Sequence, residues 1–388
     1  MKKVLFVVTD RKMGGVSVVL EDIINNLPKN KYQIDILILN NEGNRIVGKI
    51  DKSINIIYGD SFFRALDIPL SYFKKHFNLP LLINKLHLIF LLKTGLIKKK
   101  LLKERKKILS KKYDVEVAFK DGFPAIFTAV GDTPKKIHFL HSTYKENDPT
   151  RRYRKTFYHI YDKFNNIIAV SNETVEAFNK YYGNAEKCVV IKNIIDVKKV
   201  KSMGKSTEKL SNRKINFISV GRLAKAKGYD RLLEVIYRIK KDNLFNDCFL
   251  TIVGDGPEKE SLNKLKNNLG LESCVNLVGN QANPYGFMSA ADLYISSARV
   301  EPFGLVMVES LILGVPVLAV ETSATSVIID NGKNGIITDN SIAGLYNSLK
   351  EIMQNKDMIN KLKNNAKTYD YQKTNDETIK IIDNILSK

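Results

Sequence analysis

Short apolar runs, each closed by Gly, Asn, Asp or Ser and followed by a stretch of helical spacing, recur along the whole chain. Runs of that kind read as strands and the stretches between them as helices. The pattern predicts strands at 3–9 and 33–39 around a helix at 15–27, with a Gly-Gly turn between the first strand and the helix. It predicts further strands in DVEVAF (114–119), KIHFLH (136–141) and NNIIAVS (165–171), the last running into a helix, NETVEAFNKYYG (172–183). After a polar, Lys- and Ser-rich stretch over 196–214 the theme restarts. Strands INFISVG (215–221), CFLTIVG (248–254) and CVNLVG (274–279) alternate with helices over 229–241 and after DGPEKES, and ADLYISSA (291–298) leads through a loop to LVMVESLIL (305–313) and VPVLAV (315–320). Regular alternation of strand and helix predicts an α/β fold: two Rossmann-like domains with parallel sheets, facing across a cleft. The boundaries read as a first domain over 1–195, a linker over 196–214 and a second domain over 215–369.

One segment breaks the pattern. ARVEPFGLVMVES (298–310) sets two glutamates, Glu301 and Glu309, in surroundings fit for a core, where a carboxylate needs a partner. Pro302 and Gly304 separate them: Glu301 falls on the strand-to-helix loop and Glu309 in the second turn of a helix starting near Gly304. Ligands of open parallel sheets bind beyond the carboxyl ends of the strands, where this loop lies.

A second loop of the same kind is SVGRLAKAKGYDRLL (219–233), where the strand ends at Gly221, Arg222 follows, and Lys227 precedes a helix. A guanidinium fork, an ammonium and the positive end of a helix dipole together suit a diphosphate. In the first half MGGV (13–16) repeats the logic, with Gly14 and Gly15 letting backbone approach a ligand at a helix start. It lacks the third glycine and the acid of a dinucleotide fingerprint, and no phosphate loop of the Gly-x-x-x-x-Gly-Lys type occurs, which weighs against an oxidoreductase and against a kinase or ATPase. No Asp-x-Asp occurs either, so the paired carboxylates that some sugar transferases use to hold a metal are missing, and positive charge from Arg222 and Lys227 is expected in its place.

Composition narrows the picture further. Cys188, Cys248 and Cys274 have no paired spacing, so neither a disulfide framework nor a zinc site is suggested, and a cytoplasmic setting fits. The start, MKKVLFVVTD, reads as a first strand rather than a signal peptide. The net charge is +21, and between Lys93 and Lys112 ten Lys or Arg face one acid, Glu104. They follow the apolar run LPLLINKLHLIFLLKTGLI (79–97), which its own polar residues disqualify as a spanning helix. The segment is expected to lie on an anionic membrane surface; the other reading is a buried helix followed by a solvated basic one. No zinc finger, RNA-recognition signature or aromatic-interleaved basic stripe points to nucleic acid.

Taken in order, GRLAKAKG, IVGDGPEKESL, VGN and SARVEPFGLVMVESLILGVPVLA with its Glu-x₇-Glu spacing resemble the carboxyl half of glycosyltransferase family 4, and GGV, LHS, VSNET and KNIID look like its amino-half signatures. The resemblance implies the GT-B fold, an acceptor-side first domain, a nucleotide-sugar-binding second domain, and a last helix near 370–388 packing back on the first. It implies an enzyme, a hexosyltransferase-type glycosyltransferase that moves a sugar from a nucleotide diphosphate, with UDP-sugar the expected donor, without metal or other cofactor and with retention at the anomeric carbon. Carried over, Glu301 faces the reacting carbon and sugar hydroxyls and Glu309 binds the ribose hydroxyls. The amides of Phe303, Gly304 and Leu305 meet the diphosphate beside Arg222 and Lys227, and His141 lies near the donor sugar and acceptor. A lipid-linked glycan or glycolipid acceptor at the cytoplasmic membrane face, in assembly of bacterial surface polysaccharide, completes the expectation. A non-catalytic, membrane-adsorbed nucleotide-binding protein and a Rossmann oxidoreductase are the alternatives.

Overall fold

The computed structural model describes residues 1–9, 15–40, 50–51, 53–65, 68, 70–74, 76–141, 159–205, 208 and 210–388. The chain divides into two compact units, Met1–Ile194 with Asp376–Lys388, and Ile195–Asn375.

Unit 1 is built on a parallel sheet of strands β1 (Lys2–Val8), β2 (Tyr32–Ile38), β3 (Asn55–Tyr58), β4 (Val115–Ala118), β5 (Lys135–Leu140), β6 (Asn166–Ala169) and β7 (Cys188–Val190) in the order β3-β2-β1-β4-β5-β6-β7. Its central strands are buried along nearly their whole length, which is why they read as continuous apolar runs rather than alternating ones. The Gln372–Ser387 helix ends on this unit: Lys31 pairs with Asp383 at 2.7 Å and Tyr32 donates to the same carboxylate at 2.6 Å.

Unit 2 repeats the plan with β8 (Ile215–Val220), β9 (Cys248–Val253), β10 (Val275–Gly279), β11 (Leu293–Ser296), β12 (Val317–Val320) and β13 (Gly335–Thr338), all parallel, in the order β10-β9-β8-β11-β12-β13. One core cluster, including Phe217, Leu232, Ile236, Leu250, Ile295 and Leu349, covers this sheet. Strand order reverses between β1 and β4 in unit 1 and between β8 and β11 in unit 2, and beyond the carboxyl ends of such strands a crevice opens. The strand and helix alternation read from the sequence is therefore an α/β fold with two parallel sheets.

The stretch read as a linker holds a helix, Val197–Gly204, capped by Asp196, which accepts from the Lys199 amide at 2.8 Å. Val200 and Gly204 are its buried positions, so it packs against unit 2 rather than spanning open solvent.

The Leu79–Thr94 helix is neither wholly buried nor wholly exposed. Leu88, Leu91 and Leu92 join a core cluster of unit 1, whereas Leu79, Ile83, Leu86 and Phe90 are 53%, 56%, 52% and 55% exposed. Spaced by four, three and four residues, the exposed set forms one stripe on one face. The basic helix that follows, Ile97–Ile108, buries Ile97, Leu101, Glu104 and Arg105 and exposes Lys98, Lys99, Lys103, Lys106 and Lys107. Arg105 is a core residue: its guanidinium donates to both carboxylate oxygens of Glu116, at 3.0 and 2.6 Å, and to the Phe127 carbonyl at 2.9 Å. Not all of the positive charge in this segment is thus available to an outside partner. Among the described residues no helix is long and apolar enough to cross a membrane.

Candidate active site

Both loops singled out in the second half lie at the switch point of unit 2, one after β8 and one after β11. The two strands are tied side by side, with Ser219 Oγ donating to the Ile295 carbonyl at 2.7 Å. A 3-10 turn, Lys225–Lys227, then folds onto the residues after β11: Arg299 N donates to Ala226 O at 2.8 Å and Ser297 Oγ to Lys227 O at 3.1 Å. Gly228 makes this approach possible. Its φ is +65°, and a Cβ there would lie 2.1 Å from the Ser297 carbonyl oxygen, so no other residue fits without moving backbone.

That docking carries Lys227 to Glu301, with the ammonium donating to carboxylate Oε2. Glu301 is the more enclosed partner, its side chain 16% exposed against 31% for Lys227. The other carboxylate oxygen, Oε1, accepts from the Gly304 amide at 3.2 Å. Glu301 thus has the cation and the donor that a carboxylate in this setting needs. Gly304, at φ +77°, is the residue before the Leu305–Ile312 helix, so the helix starts where the sequence places it. The amide row at Phe303, Gly304 and Leu305 is not open throughout, since the Gly304 amide is capped by Glu301 itself. Phe303 is buried and Leu305 half-buried. A small polar-walled pocket lies beside the pair, lined among others by Ser219, Lys227, Tyr229, Tyr294, Ser296 and Glu301.

Glu309 lies in the second turn of the same helix, half-buried, and Oε1 accepts from the Tyr285 hydroxyl at 2.9 Å. Burial pushes its carboxyl up to about 7, opposed by the Tyr285 hydrogen bond and by the charge of Lys199. Arg222 is exposed on the loop after Gly221 and has no ion pair among the described residues. Of the residues chosen from sequence, the structure brings Lys227, Glu301 and Gly304 into direct contact and leaves Arg222 to one side.

His141 belongs to unit 1, just past β5. Its ring stacks on Phe139, with centroids 5.8 Å apart at 15°, and packs against Phe119 at 4.6 Å. Burial lowers its pKa to about 4, against the charge of Asp121, so the imidazole is neutral near pH 7. Hydrogen bonding to the Phe119 backbone occupies one side of the ring, and Nε2 is buried with no partner among the described residues. A neutral ring bonded in this way presents a lone pair at Nε2, an acceptor for a hydroxyl. Gly15 begins the Gly15–Asn26 helix after β1, and Gly14 lies outside the described residues.

Sequence reasoning missed Tyr285, Lys199, and the Tyr229 and Tyr294 that line the pocket. Tyr294 donates to the Val220 carbonyl at 3.4 Å. Only Tyr285 left a trace, standing just after the Asn-Pro that starts the Pro284–Ser289 helix, and nothing in the spacing tells that its hydroxyl meets Glu309.

Comparison with known proteins bears on the family and the fold. The model of Glycosyltransferase Family 4 matches residues 13–199, and that of Glycosyl transferases group 1 matches residues 204–369. A lipopolysaccharide core biosynthesis glycosyltransferase of Rhizobium meliloti is 31% identical over 122 residues, 31% of this chain and 34% of that protein. The N-acetylgalactosamine-N,N'-diacetylbacillosaminyl-diphospho-undecaprenol 4-alpha-N-acetylgalactosaminyltransferase of Campylobacter jejuni is 27% identical over 212 residues, 54% of this chain and 56% of that protein. The chain therefore spans between a third and somewhat over half of the length of these curated relatives. Among solved structures, Anabaena HepE in complex with UDP-glucose has a TM-score of 0.69 at 19% identity, covering 99% of this chain and 100% of that one, a likeness of fold. With one model on each half and a fold shared end to end, the chain belongs to the glycosyltransferases of the GT-B fold, family 4 in its amino-terminal half and group 1 in its carboxyl-terminal half.

Proposed function

We propose that this chain is a retaining glycosyltransferase that moves a sugar from a nucleotide diphosphate, a UDP-sugar, to a glycan or lipid-linked acceptor of bacterial surface polysaccharide or glycolipid synthesis. The observation that carries the reading is the Glu301–Lys227 pair at the carboxyl end of β11, with Glu309 in the second turn of the helix that follows. In the reaction the bond between the anomeric carbon and the diphosphate oxygen breaks, the acceptor oxygen bonds to that carbon, and the acceptor hydroxyl's proton leaves with the diphosphate. Lys227 and Arg222 would meet the negative charge that develops on the departing diphosphate, the work a metal performs elsewhere, so no metal is required. Glu301 would accept from sugar hydroxyls, Glu309 from the ribose, and Nε2 of His141 from a hydroxyl on the acceptor side. Gly221, Gly15 and Gly14 are assigned to close backbone approach. The carbohydrate and lipid-carrier names of the similar proteins support the acceptor class, and UDP-glucose in the HepE structure supports the donor class.

The acceptor class also draws support from the helix hairpin of residues 79–108. Its apolar stripe and the neighbouring lysines suit shallow adsorption to an anionic bilayer, as a peripheral protein at the cytoplasmic face.

A panel of nucleotide sugars with nucleotide release as readout tests the reading, since even slow hydrolysis identifies a donor. On that donor, Glu301→Gln is expected to cut turnover roughly a hundredfold while the dissociation constant for the nucleotide sugar moves far less. Full turnover by the variant would remove Glu301 from the reacting centre. Nucleotide binding without release from any donor would mark a non-catalytic binding protein instead.

A further inference from the structure

Glu309 sits where three helices of unit 2 meet. Tyr285 reaches it from the Pro284–Ser289 helix through the 2.9 Å hydrogen bond, and the charge of Lys199 acts on it from the Val197–Gly204 helix. Tyr294 on β11 is the third titratable group that senses its charge. The helices are fastened to one another: Asn283 Nδ2 donates to Met203 O at 3.0 Å, and Ser289 Oγ to Gly204 O at 2.7 Å. A Cβ on Gly204 would come within 2.3 Å of Leu313 Cδ2, so the first helix also lies close against the residues ending the third. Tyr285 is therefore presented by a helix clamped in place, not by a loop free to swing.

A carboxylate that accepts from two adjacent ribose hydroxyls must be ionised and held in one rotation. Burial works against the first requirement, and a side chain with three rotatable bonds does not meet the second by itself. The Tyr285 hydroxyl addresses both, because it fixes Oε1 and, as a donor, favours the charged form. The other oxygen, Oε2, makes no hydrogen bond among the described residues. We infer that Tyr285 is a positioning residue for nucleotide recognition, its hydroxyl orienting the Glu309 carboxylate and donating to its charged form so that the carboxylate can accept from the ribose. This rests on the reading of Glu309 as the ribose ligand.

The test is Tyr285→Phe in the full chain, with binding of UDP-glucose measured by calorimetry from pH 6 to pH 9 beside wild type and Glu309→Gln. Loss of one donor that raises the Glu309 pKa by about one unit weakens binding about fivefold at pH 7, and the two proteins converge within about twofold by pH 9, where either carboxyl is ionised. With 2'-deoxy-UDP-glucose the difference between wild type and Tyr285→Phe is expected to shrink, and in the Glu309→Gln background to vanish. A loss that is the same at every pH would make Tyr285 a structural residue only, and unchanged binding would overturn the inference while leaving the ribose reading intact. Glu309→Gln binding as tightly as wild type would overturn the ribose reading and the inference with it.

Discussion

Replacing Ile83, Leu86 and Phe90 together by serine removes most of the stripe that the Leu79–Thr94 helix turns outward, without touching Leu88, Leu91 and Leu92 beneath it. Fully burying such a side chain is worth about 1.5–3 kcal/mol, and these three are 56%, 52% and 55% exposed, so transferring the exposed halves into a bilayer gains roughly 1 kcal/mol each. Losing about 3 kcal/mol of partitioning lowers vesicle affinity roughly a hundredfold. The lysines act separately. Lys98, Lys99, Lys103 and Lys106 are exposed and each adds about 1 kcal/mol near an anionic surface at low salt, a contribution that fades as screening shortens to about 3 Å at 1 M. Flotation on phosphatidylglycerol-containing and on pure phosphatidylcholine vesicles, in low salt and in 1 M salt, separates the two effects. The serine triple is expected to bind less under every condition, whereas a Lys98, Lys99, Lys103, Lys106→Ser quadruple loses affinity only for anionic vesicles at low salt. Arg105 must be left out of any charge-removal set, because its loss strands Glu116 in the core. Wild type that floats with neither vesicle type refutes the membrane reading and makes the stripe an ordinary exposed face, and equal flotation with both refutes the part given to the lysines.

Saturating EDTA is expected to leave turnover within a factor of about two if, as proposed, Arg222 and Lys227 supply the positive charge; abolition by EDTA with rescue by magnesium or manganese would refute this. The Glu309 carboxyl is raised to about 7, and on the proposed reading ribose binding needs it ionised, so affinity for UDP-glucose is expected to fall about tenfold per pH unit below pH 7, and Glu309→Gln to flatten that dependence in calorimetry. The same shift has a stability consequence: a carboxyl with a raised folded-state pKa favours the fold at low pH and loses that contribution as pH rises through 7, so Glu309→Gln is expected to raise the melting temperature at pH 8 and not at pH 4. Arg105→Ala leaves Glu116 buried without its cation and is expected to cost about 3–5 kcal/mol in chemical denaturation; a loss below about 1 kcal/mol would show that the pair is not held in the core.

The fold was legible because parallel strands covered on both faces leave the plainest mark a sequence carries, an unbroken apolar run closed by a turn residue. The short strands β3 and β13 went unread: four residues of Asn55–Tyr58 or Gly335–Thr338, partly open at a sheet edge, do not stand out from their surroundings. The Val197–Gly204 helix was hidden differently. Three lysines among its eight residues give it the composition of a linker, while its buried positions, Val200 and Gly204, are too few to reveal a period. In the site, the Glu-x₇-Glu spacing marked both carboxylates, but their partners come from far along the chain. Lys227 is 74 residues from Glu301 and Tyr285 is 24 from Glu309, and only the β8–β11 neighbourhood and the packing of helices bring them together. Arg105 shows the converse error, a basic residue in a basic run that serves the interior.

The Lys227–Glu301 pair constrains how a donor can be bound on the proposed reading. An enclosed carboxylate and its ammonium compensate each other, and a diphosphate and a sugar hydroxyl offer each of them a replacement partner. Donor binding is then an exchange, ammonium from carboxylate to phosphate and carboxylate from ammonium to hydroxyl, in which neither charge is left unpaired. A nucleotide diphosphate without its sugar completes only half of the exchange, drawing Lys227 away and leaving Glu301 with the Gly304 amide alone. It follows that the sugar adds more to affinity than its own hydrogen bonds would in an open site, and that Glu301→Gln, which no longer needs the cation, narrows the gap between nucleotide sugar and nucleotide. Lys227→Met would disturb both the pair and the donor contact, so the exposed Arg222 is the cleaner probe of charge on the diphosphate: Arg222→Ala should weaken donor binding by about 1.5–3 kcal/mol with the melting temperature unchanged.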